Sequence, residues 1–255
     1  MVYIEGLTVE QLISLSAVSF FAGVLNAISG GGGMILIPSM MVCGVPPINA
    51  ITVNKFQNAL GSLAAIRHYF QHGLFEKKGR NRTTLLLVSF FSLMGAISLD
   101  FASSKALLST VIPYVLIFVS LYSVMPQKWF EKYTKRTVST FKKNAVWSFM
   151  GAYGGAVSIG TGPLMIAAHR ILNVSSVRSA IAETKPMMLV INITSLLLLA
   201  LLGHLWWKLG LVLAFGNMLG AWFGARITTG RYLVIAKWVV FILPLVIAVR
   251  MLLEG

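Results

Sequence analysis

The sequence predicts an all-α polytopic membrane protein built from two repeats, and three observations lead to that prediction. Of the 255 residues, 57% are hydrophobic and only 11% are charged, whereas a soluble domain carries about 25% charged residues. Apolar stretches long enough to cross a hydrocarbon core of about 30 Å recur along the whole chain. Identical residues also recur between the two halves at one constant spacing.

The repeat has an offset of 130 positions and contains no gap. Each copy carries a glycine-rich break, a lysine 25 residues after the first glycine, and a glycine that ends a hydrophobic run. Internal duplication combined with broken helices is typical of secondary transporters. The matched pairs are Gly30 and Gly160, Gly32 and Gly162, Ala50 and Ala180, Lys55 and Lys185, and Gly73 and Gly203.

Two of the apolar segments are too short to cross a membrane. Both have about ten residues and follow a glycine cluster, 30–33 in the first half and 160–163 in the second. We therefore predict a first transmembrane repeat over 1–126, a basic cytoplasmic linker over 127–143 and a second transmembrane repeat over 144–255. The apolar segments fall at about 8–29, 34–43, 48–66, 84–99, 106–125, 144–158, 163–172, 178–202, 207–225 and 232–252.

The glycine clusters allow two topologies. If each cluster is a kink within one crossing helix, the chain has eight spans, the repeats point the same way and both termini are cytoplasmic. If each cluster is instead the tip of a re-entrant helical hairpin, each repeat holds one hairpin and three full transmembrane helices. Because three is odd, the two repeats are then inverted relative to each other.

The basic residues favour the inverted arrangement, since Lys and Arg in short loops stay cytoplasmic. Eight spans place 13 basic residues inside and 6 outside. The inverted arrangement places 16 inside and leaves only Lys105, Lys208 and Arg250 outside, with Lys55 and Lys185 left out of both counts as intramembrane. We predict two inverted repeats with both termini outside, and eight spans with kinked helices remain the alternative.

The two glycine tips are candidate anion-binding sites. A helix that stops at membrane depth leaves amides that lipid cannot satisfy, so its end needs protein or a watery cavity. Each helix that restarts after a tip aims a partly positive N-terminus at it, and the repeat predicts that the tips face each other near the midplane. Close helix packing is the alternative role of these glycines. The predicted binding residues here are Ser29, Gly30, Gly31, Gly32, Gly33, Gly160, Thr161 and Gly162, with Asn26 and Ser158 nearby.

Lys55 and Lys185 are candidate cationic groups of the same site. A charge inside the membrane indicates a functional site by default, although a single lysine can instead snorkel to the interface. Their matching positions beside matching tips favour a pair of cationic walls. Polar neighbours extend the predicted substrate site to Asn54, Asn58, Thr184 and Asn192.

Glu183 is the candidate carrier of a coupling proton, because a partly buried carboxyl can titrate in the physiological range. An ion pair with Lys185 or Arg178, or exposure at the cytoplasmic end, is the alternative. Small residues at Gly216, Gly220 and Gly224 predict close helix packing. The same spacing would permit a homodimer.

Other classes of function find little support. The net charge of +14 would suggest nucleic acid in a soluble chain, but the 21 Lys and Arg lie mostly in short loops, so we predict no nucleic-acid partner. The chain has no phosphate loop, His-Glu-x-x-His run or Gly-x-Ser-x-Gly elbow, so we predict no cofactor and no enzymatic activity. His68 and His72 lack a third ligand at readable spacing, so we predict no metal site.

The run from Gly23 to Met34 (GVLNAISGGGGM), continued to Pro38 and Ala50 and repeated more weakly from Gly151 to Lys185, resembles the TauE/SafE family of bacterial membrane proteins. The resemblance covers nearly the whole chain. It implies a multi-pass secondary transporter of the inner membrane that exports sulfite, sulfonates or related sulfur oxyanions. We therefore expect a small-anion exporter that works by alternating access, with a proton or another ion as the candidate coupling ion. An anion channel is the nearest alternative, and an intramembrane enzyme is a remoter one.

Overall fold

The computed structural model of the protein describes residues 4–75, 82–102, 105–124, 138–173 and 175–229, with isolated positions between 242 and 253. Every regular element in these ranges is a helix, which confirms the predicted all-α class. Residues 127–137 of the predicted linker and most of the last apolar segment lie outside the described residues. The helices are α1 Val9–Ser29, α2 Gly33–Val42, α3 Pro47–Gln71, α4 Arg82–Phe101, α5 Lys105–Val124, α6 Thr140–Ala156, α7 Thr161–Asn173, α8 Val177–Leu201 and α9 Trp207–Thr229.

The helices begin where the sequence supplies an N-terminal cap. Thr8 and Gln11 form a capping box at the start of α1, in which each side chain bonds to the backbone amide of the other. Ser176 caps α8 by accepting from the amide of Ser179 at 3.1 Å. Pro47 occupies the first turn of α3, where its missing N–H costs no hydrogen bond.

Helix lengths separate spanning from non-spanning elements. By length and composition, α1, α4, α8 and α9 are long and apolar enough to cross a membrane, which supports the predicted multi-span membrane protein. Helix α3 is 25 residues long but carries polar residues through its centre. Helices α2 and α7 have only 10 and 13 residues, so at about 1.5 Å per residue neither reaches across a hydrocarbon core.

Both glycine clusters interrupt the helical backbone. Gly30 ends α1 in the left-handed region with a φ of 73°, and its amide donates to the carbonyl of Asn26 at 2.8 Å. In the second half, Ser158 and Gly160 take φ values of 62° and 68°. Glycine adopts this conformation without steric cost, whereas Ser158 is strained by it.

The helix contacts of one half have counterparts in the other. By position along the chain, α1, α2, α3 and α4 correspond to α6, α7, α8 and α9. Helix α1 packs on α9 as α6 packs on α4, and α3 packs on α9 as α8 packs on α4. Helices α3 and α8 pack on each other at the centre. The two halves therefore interlock, with helices of each half packed against helices of the other.

Glycines allow the closest of these approaches, as predicted from their spacing. On α9, Gly216, Gly220 and Gly224 lie against the backbone of Ser16, Phe20 and Val24 on α1. A side chain added at any of these three glycines would have to displace backbone atoms of α1, which cannot move aside as a flexible side chain can. These three glycines of α9 are thus covered by α1 of the same chain.

We expect the substitution Gly220→Leu to destabilise the folded protein by roughly 1–3 kcal/mol or more, because the new side chain meets the carbonyl of Phe20. Thermal unfolding of the purified protein in detergent measures this. Leu219→Phe adds bulk at an exposed position of the same helix and should leave the melting temperature nearly unchanged. Equal stability of the two variants would contradict this packing.

Candidate functional site

The two glycine tips meet each other in the centre of the molecule. A Cβ on Gly30 would run into Gly162, and the nearest atoms to a Cβ on Gly162 all belong to Gly30. The backbones therefore touch without intervening side chains. The partner of Gly30 in this contact is not its repeat mate Gly160, which packs on the side chain of Val119 in α5.

A small cavity adjoins this contact. Its volume is about 10 Å³, enough for roughly one water molecule. Both halves contribute to its wall. The described residues that line it are Gly30 and Asn58 from the first half, and Gly154, Ser158, Thr161, Met188, Ile191 and Asn192 from the second.

Hydrogen-bond donors around the tips lack partners in the described structure. The Thr161 hydroxyl is 95% buried and lines the cavity, yet its Oγ1 makes no hydrogen bond. The Nδ2 of Asn54 is also unpartnered, and it lies against Gly33, where a Cβ would stand 2.9 Å from it. Because buried donors without partners are costly, these groups are ready to bind a ligand or water.

The backbone amides at the tips add to these donors. In the first tip, the N–H groups of Gly31, Gly32 and Gly33 precede the first intrahelical bonds of α2. In the second, the N–H groups of Thr161 and Gly162 hold the same place in α7. Both tips therefore present a helix N-terminus, the part of a helix that favours negative charge.

Lys55 crosses from α3 to the other half. Its side chain is fully buried, and its Nζ donates to the carbonyl of Gly154 at 2.7 Å and to Oγ of Ser158 at 2.8 Å. Both acceptors line the cavity. The strained backbone of Ser158 thus places a hydroxyl between the lysine and the cavity.

Lys185 makes the reciprocal crossing from α8. It is also fully buried, and its Nζ donates to the carbonyl of Asn26 near the end of α1. Its second neighbour is Sδ of Met188 at 4.0 Å, and Met188 lines the cavity. Each lysine therefore binds carbonyls at the C-terminal end of the helix that precedes the tip of the opposite half, which is the negative end of that helix.

A polar cluster on α3 supports the first tip. The Oδ1 of Asn54 accepts from Nε2 of Gln57 at 3.0 Å and from Nδ2 of Asn58 at 3.2 Å. The Oε1 of Gln57 lies 3.0 Å from the hydroxyl of Ser19 on α1. These bonds fix the orientation of the Asn54 amide, so that its Nδ2 lies beside the tip without a hydrogen-bond partner.

Some predicted site residues lie away from the cavity. The hydroxyls of Ser29 and Thr184 donate to the carbonyls of Leu25 and Ala180 in their own helices, at 2.9 and 2.8 Å. Glu183 is partly buried and is not among the residues that line the cavity.

The structure brings four predicted residues to the cavity wall: Gly30, Asn58, Thr161 and Asn192. The prediction missed Gly154, Met188 and Ile191 as lining residues. Gly154 belongs to a small-residue stretch that reads as packing, while Met188 and Ile191 look like ordinary apolar positions of α8. Met188 and Ile191 can be identified as lining residues only once the packing of α8 against the tips is known.

The described lining of the cavity consists of neutral polar groups, the Thr161 hydroxyl among them, and apolar groups, with a lysine behind each wall. No carboxylate is among the described lining residues. Amide, hydroxyl and ammonium donors in a site of low dielectric bind oxyanions well. The arrangement is chemically suited to hold a small anion between the two halves.

Comparison with known proteins identifies the relatives of this chain. A probable membrane transporter protein, ORF9, from a Sinorhizobium species is 28% identical over 252 residues, which are 98% of this chain and 95% of the relative. A probable membrane transporter protein from Haemophilus influenzae is 28% identical over 254 residues, 96% of each chain. The probable membrane transporter protein YfcA from Escherichia coli K12 is 25% identical over 239 residues, covering 93% of this chain and 88% of YfcA.

None of these names states a substrate. The family described as sulfite exporter TauE/SafE matches residues 15–251, which include both tips and both lysines. The resemblance seen in the glycine run is thereby confirmed, and the chain belongs to the TauE/SafE family of membrane transporters.

Proposed function

We propose that this chain is a secondary transporter that exports a small anion, either sulfite or an organosulfonate, across the inner membrane by alternating access. The observation that carries the proposal is the donor-lined cavity at the contact of Gly30 with Gly162. It lies between two halves that are tied together by buried lysines. Small anions are what such donors bind, and sulfur oxyanions are what the family name indicates.

Alternating access is supported by the direct backbone contact of the two tips at Gly30 and Gly162. The space beside this contact holds roughly one water molecule, so we expect the tips to separate when an anion enters. Rocking of one repeat against the other would open the site to either side of the membrane in turn. A channel would instead need a continuous open path.

Export is supported by the charge of the substrate. The bacterial inner membrane is negative inside, and each unit of negative charge leaving the cell gains about 2.3 kcal/mol per 100 mV. An anion therefore needs no coupling ion to leave against a modest concentration gradient. A proton on Glu183 would serve only to raise that gradient further.

The proposed topology is the inverted one. Helices α1 and α2, and likewise α6 and α7, would form re-entrant hairpins whose tips are the two glycine clusters. Helix α1 is long enough to cross a membrane, so in this topology it would tilt or begin in the headgroup region. The short lengths of α2 and α7 support the hairpins, since neither can complete a crossing. Midplane tips from inverted repeats recur in other secondary transporters.

Thr161 tests the proposed site, because its buried hydroxyl is unpartnered at the cavity. We expect Thr161→Val to lower sulfite efflux from proteoliposomes about tenfold or more, because a hydrogen bond to a charged group contributes about 1.5–3 kcal/mol. The measurement is the initial efflux rate of labelled sulfite under an inside-negative potential. Sulfate, thiosulfate, methanesulfonate and acetate serve as competitors.

Thr194→Val is the matched control, because the Thr194 hydroxyl donates to Val190 within its own helix and does not line the cavity. It should transport like the parent. Unchanged efflux in Thr161→Val, or competition by acetate as strong as by the sulfur anions, would contradict the proposed site. Flux that neither saturates nor responds to anion on the other side would indicate a channel.

A separate prediction concerns topology. The test introduces single cysteines in a Cys43→Ser background. The inverted arrangement places the end of α9 in the cytoplasm, so the Arg226→Cys variant should be shielded from an impermeant thiol reagent in intact cells. The cysteine of Lys208→Cys, at the exposed start of α9, should be labelled. Ready labelling at position 226 together with protection at 208 would restore the eight-span alternative.

A further inference from the structure

The repeat gives the cavity wall a counterpart that the cavity does not use. About one turn of α8 lines the cavity with three residues, and α3 carries their counterparts at the repeat offset of 130 positions. The three pairs are Asn58 and Met188, Gly61 and Ile191, and Ser62 and Asn192. Of the α3 members, only Asn58 is among the described residues that line the cavity. The wall is therefore asymmetric, although both halves supply the same helix positions.

Helix α9 packs on the turn of α3 that is left out. A Cβ on Gly61 would meet the side-chain amide of Asn217, so this amide lies directly against the α3 backbone. Ser62 follows Asn58 at i+4, and it therefore shares the face of α3 that reaches the cavity. The side chains of Ser62 and Asn217 are both fully buried. The contact between α3 and α9 is thus closed to solvent in this conformation.

Polar groups at this contact have no hydrogen-bond partner in the part of the chain that the structure describes. These groups are the hydroxyl of Ser62 and both the Nδ2 and the Oδ1 of Asn217. Buried polar groups are nearly always paired, because an unpaired one has lost its bonds to water without replacement. In the equivalent contact between α4 and α8, the hydroxyl of Ser92 donates to the carbonyl of Ile191 at 2.9 Å. The contact between α3 and α9 therefore holds hydrogen-bonding capacity that this conformation leaves unused.

The same face of α3 leads from the cavity to one end of the molecule. In the proposed inverted topology, α3 runs from the outside to the cytoplasm, so Ser62 lies on the cytoplasmic side of Asn58. The face continues through Ala65, a small buried residue, to His68, whose buried Nε2 is also unpartnered. At about 1.5 Å per residue, the distance along the helix from Asn58 to His68 is roughly 15 Å. Unpaired polar groups thus follow the direct route between the cavity and the cytoplasm.

We infer that Ser62 and Asn217 form a second binding site for the transported anion, on the cytoplasmic side of the cavity, which opens when α3 and α9 separate. The inference rests on the proposed anion transport and on the inverted topology. In the open state, the Ser62 hydroxyl and the Asn217 Nδ2 donate to the anion. Because Ser62 is the repeat counterpart of Asn192, the two halves would use equivalent walls in alternate states of the transporter.

The substitution Asn217→Leu tests the binding role. Leucine has nearly the shape of asparagine, and it removes two buried polar atoms that have no partner, so the melting temperature should stay the same or rise. Sulfite efflux from proteoliposomes should nevertheless fall about tenfold or more, because a hydrogen bond to a charged group is lost. Ser62→Ala should lower efflux in the same direction. Unchanged efflux in both variants would mean that these side chains only pack.

Labelling of Ser62→Cys tests the opening of the contact without any substrate. In a Cys43→Ser background, a small impermeant anionic thiosulfonate reagent should modify this variant in inside-out vesicles and leave it unmodified in right-side-out vesicles. Ser92→Cys is the matched control, because Ser92 is equally buried but lies at the contact between α4 and α8. It should resist the reagent from the cytoplasmic side. Resistance of Ser62→Cys from that side, or its modification from the outside, would overturn the inference.

These results distinguish the second site from the proposed function. If the parent moves no anion, the proposed function is wrong and the second site falls with it. If the parent transports and Thr161→Val is impaired, but the variants at 62 and 217 transport like the parent, the cavity site stands and the second site alone is overturned.

Discussion

A helix end buried inside a protein leaves backbone groups that need other partners, and this constraint shapes the centre of the molecule. The chain has two such breaks, at Gly30 and at Gly160, and it brings them together so that the helix ends face protein. The contact between Gly30 and Gly162 is possible because neither residue has a side chain. Side chains at these two positions would hold the tips apart and open a gap beside their backbone amides.

The two lysines follow from the same constraint. Carbonyls near the ends of α1 and α6 are the negative poles of broken helices, and Lys185 and Lys55 each bring a cation to one of them. Each cation comes from the opposite half, so the bonds that stabilise the breaks also hold the halves together. A fully buried lysine is costly in itself, and here each one donates to backbone or hydroxyl acceptors of the opposite half.

Much of the fold could be predicted from the sequence because its signals are local. The approximate bounds of α1, α4, α8 and α9 follow from the lengths of the apolar segments. The spacing of the glycines of α9 predicts a close helix contact, and the structure places that contact against α1. The site was only partly predictable. Thr161 was predicted from its place at a tip, and Asn58 and Asn192 were predicted as polar neighbours of the two lysines. Met188 and Ile191 look like any apolar residue until α8 is packed beside the tips.

The sequence by itself determined the class, the duplication, the two breaks and the family, since each is carried by composition or by residues at fixed spacing along one chain. The tertiary structure alone decided which groups meet. Repeat symmetry pairs Gly30 with Gly160, yet the contact falls on Gly162, because the bend at Ser158 and Gly160 turns Gly160 toward α5. It also decided that each lysine lies behind the cavity and reaches a carbonyl of the opposite half, because hydrogen-bond partners more than 90 residues apart are set by packing and not by spacing.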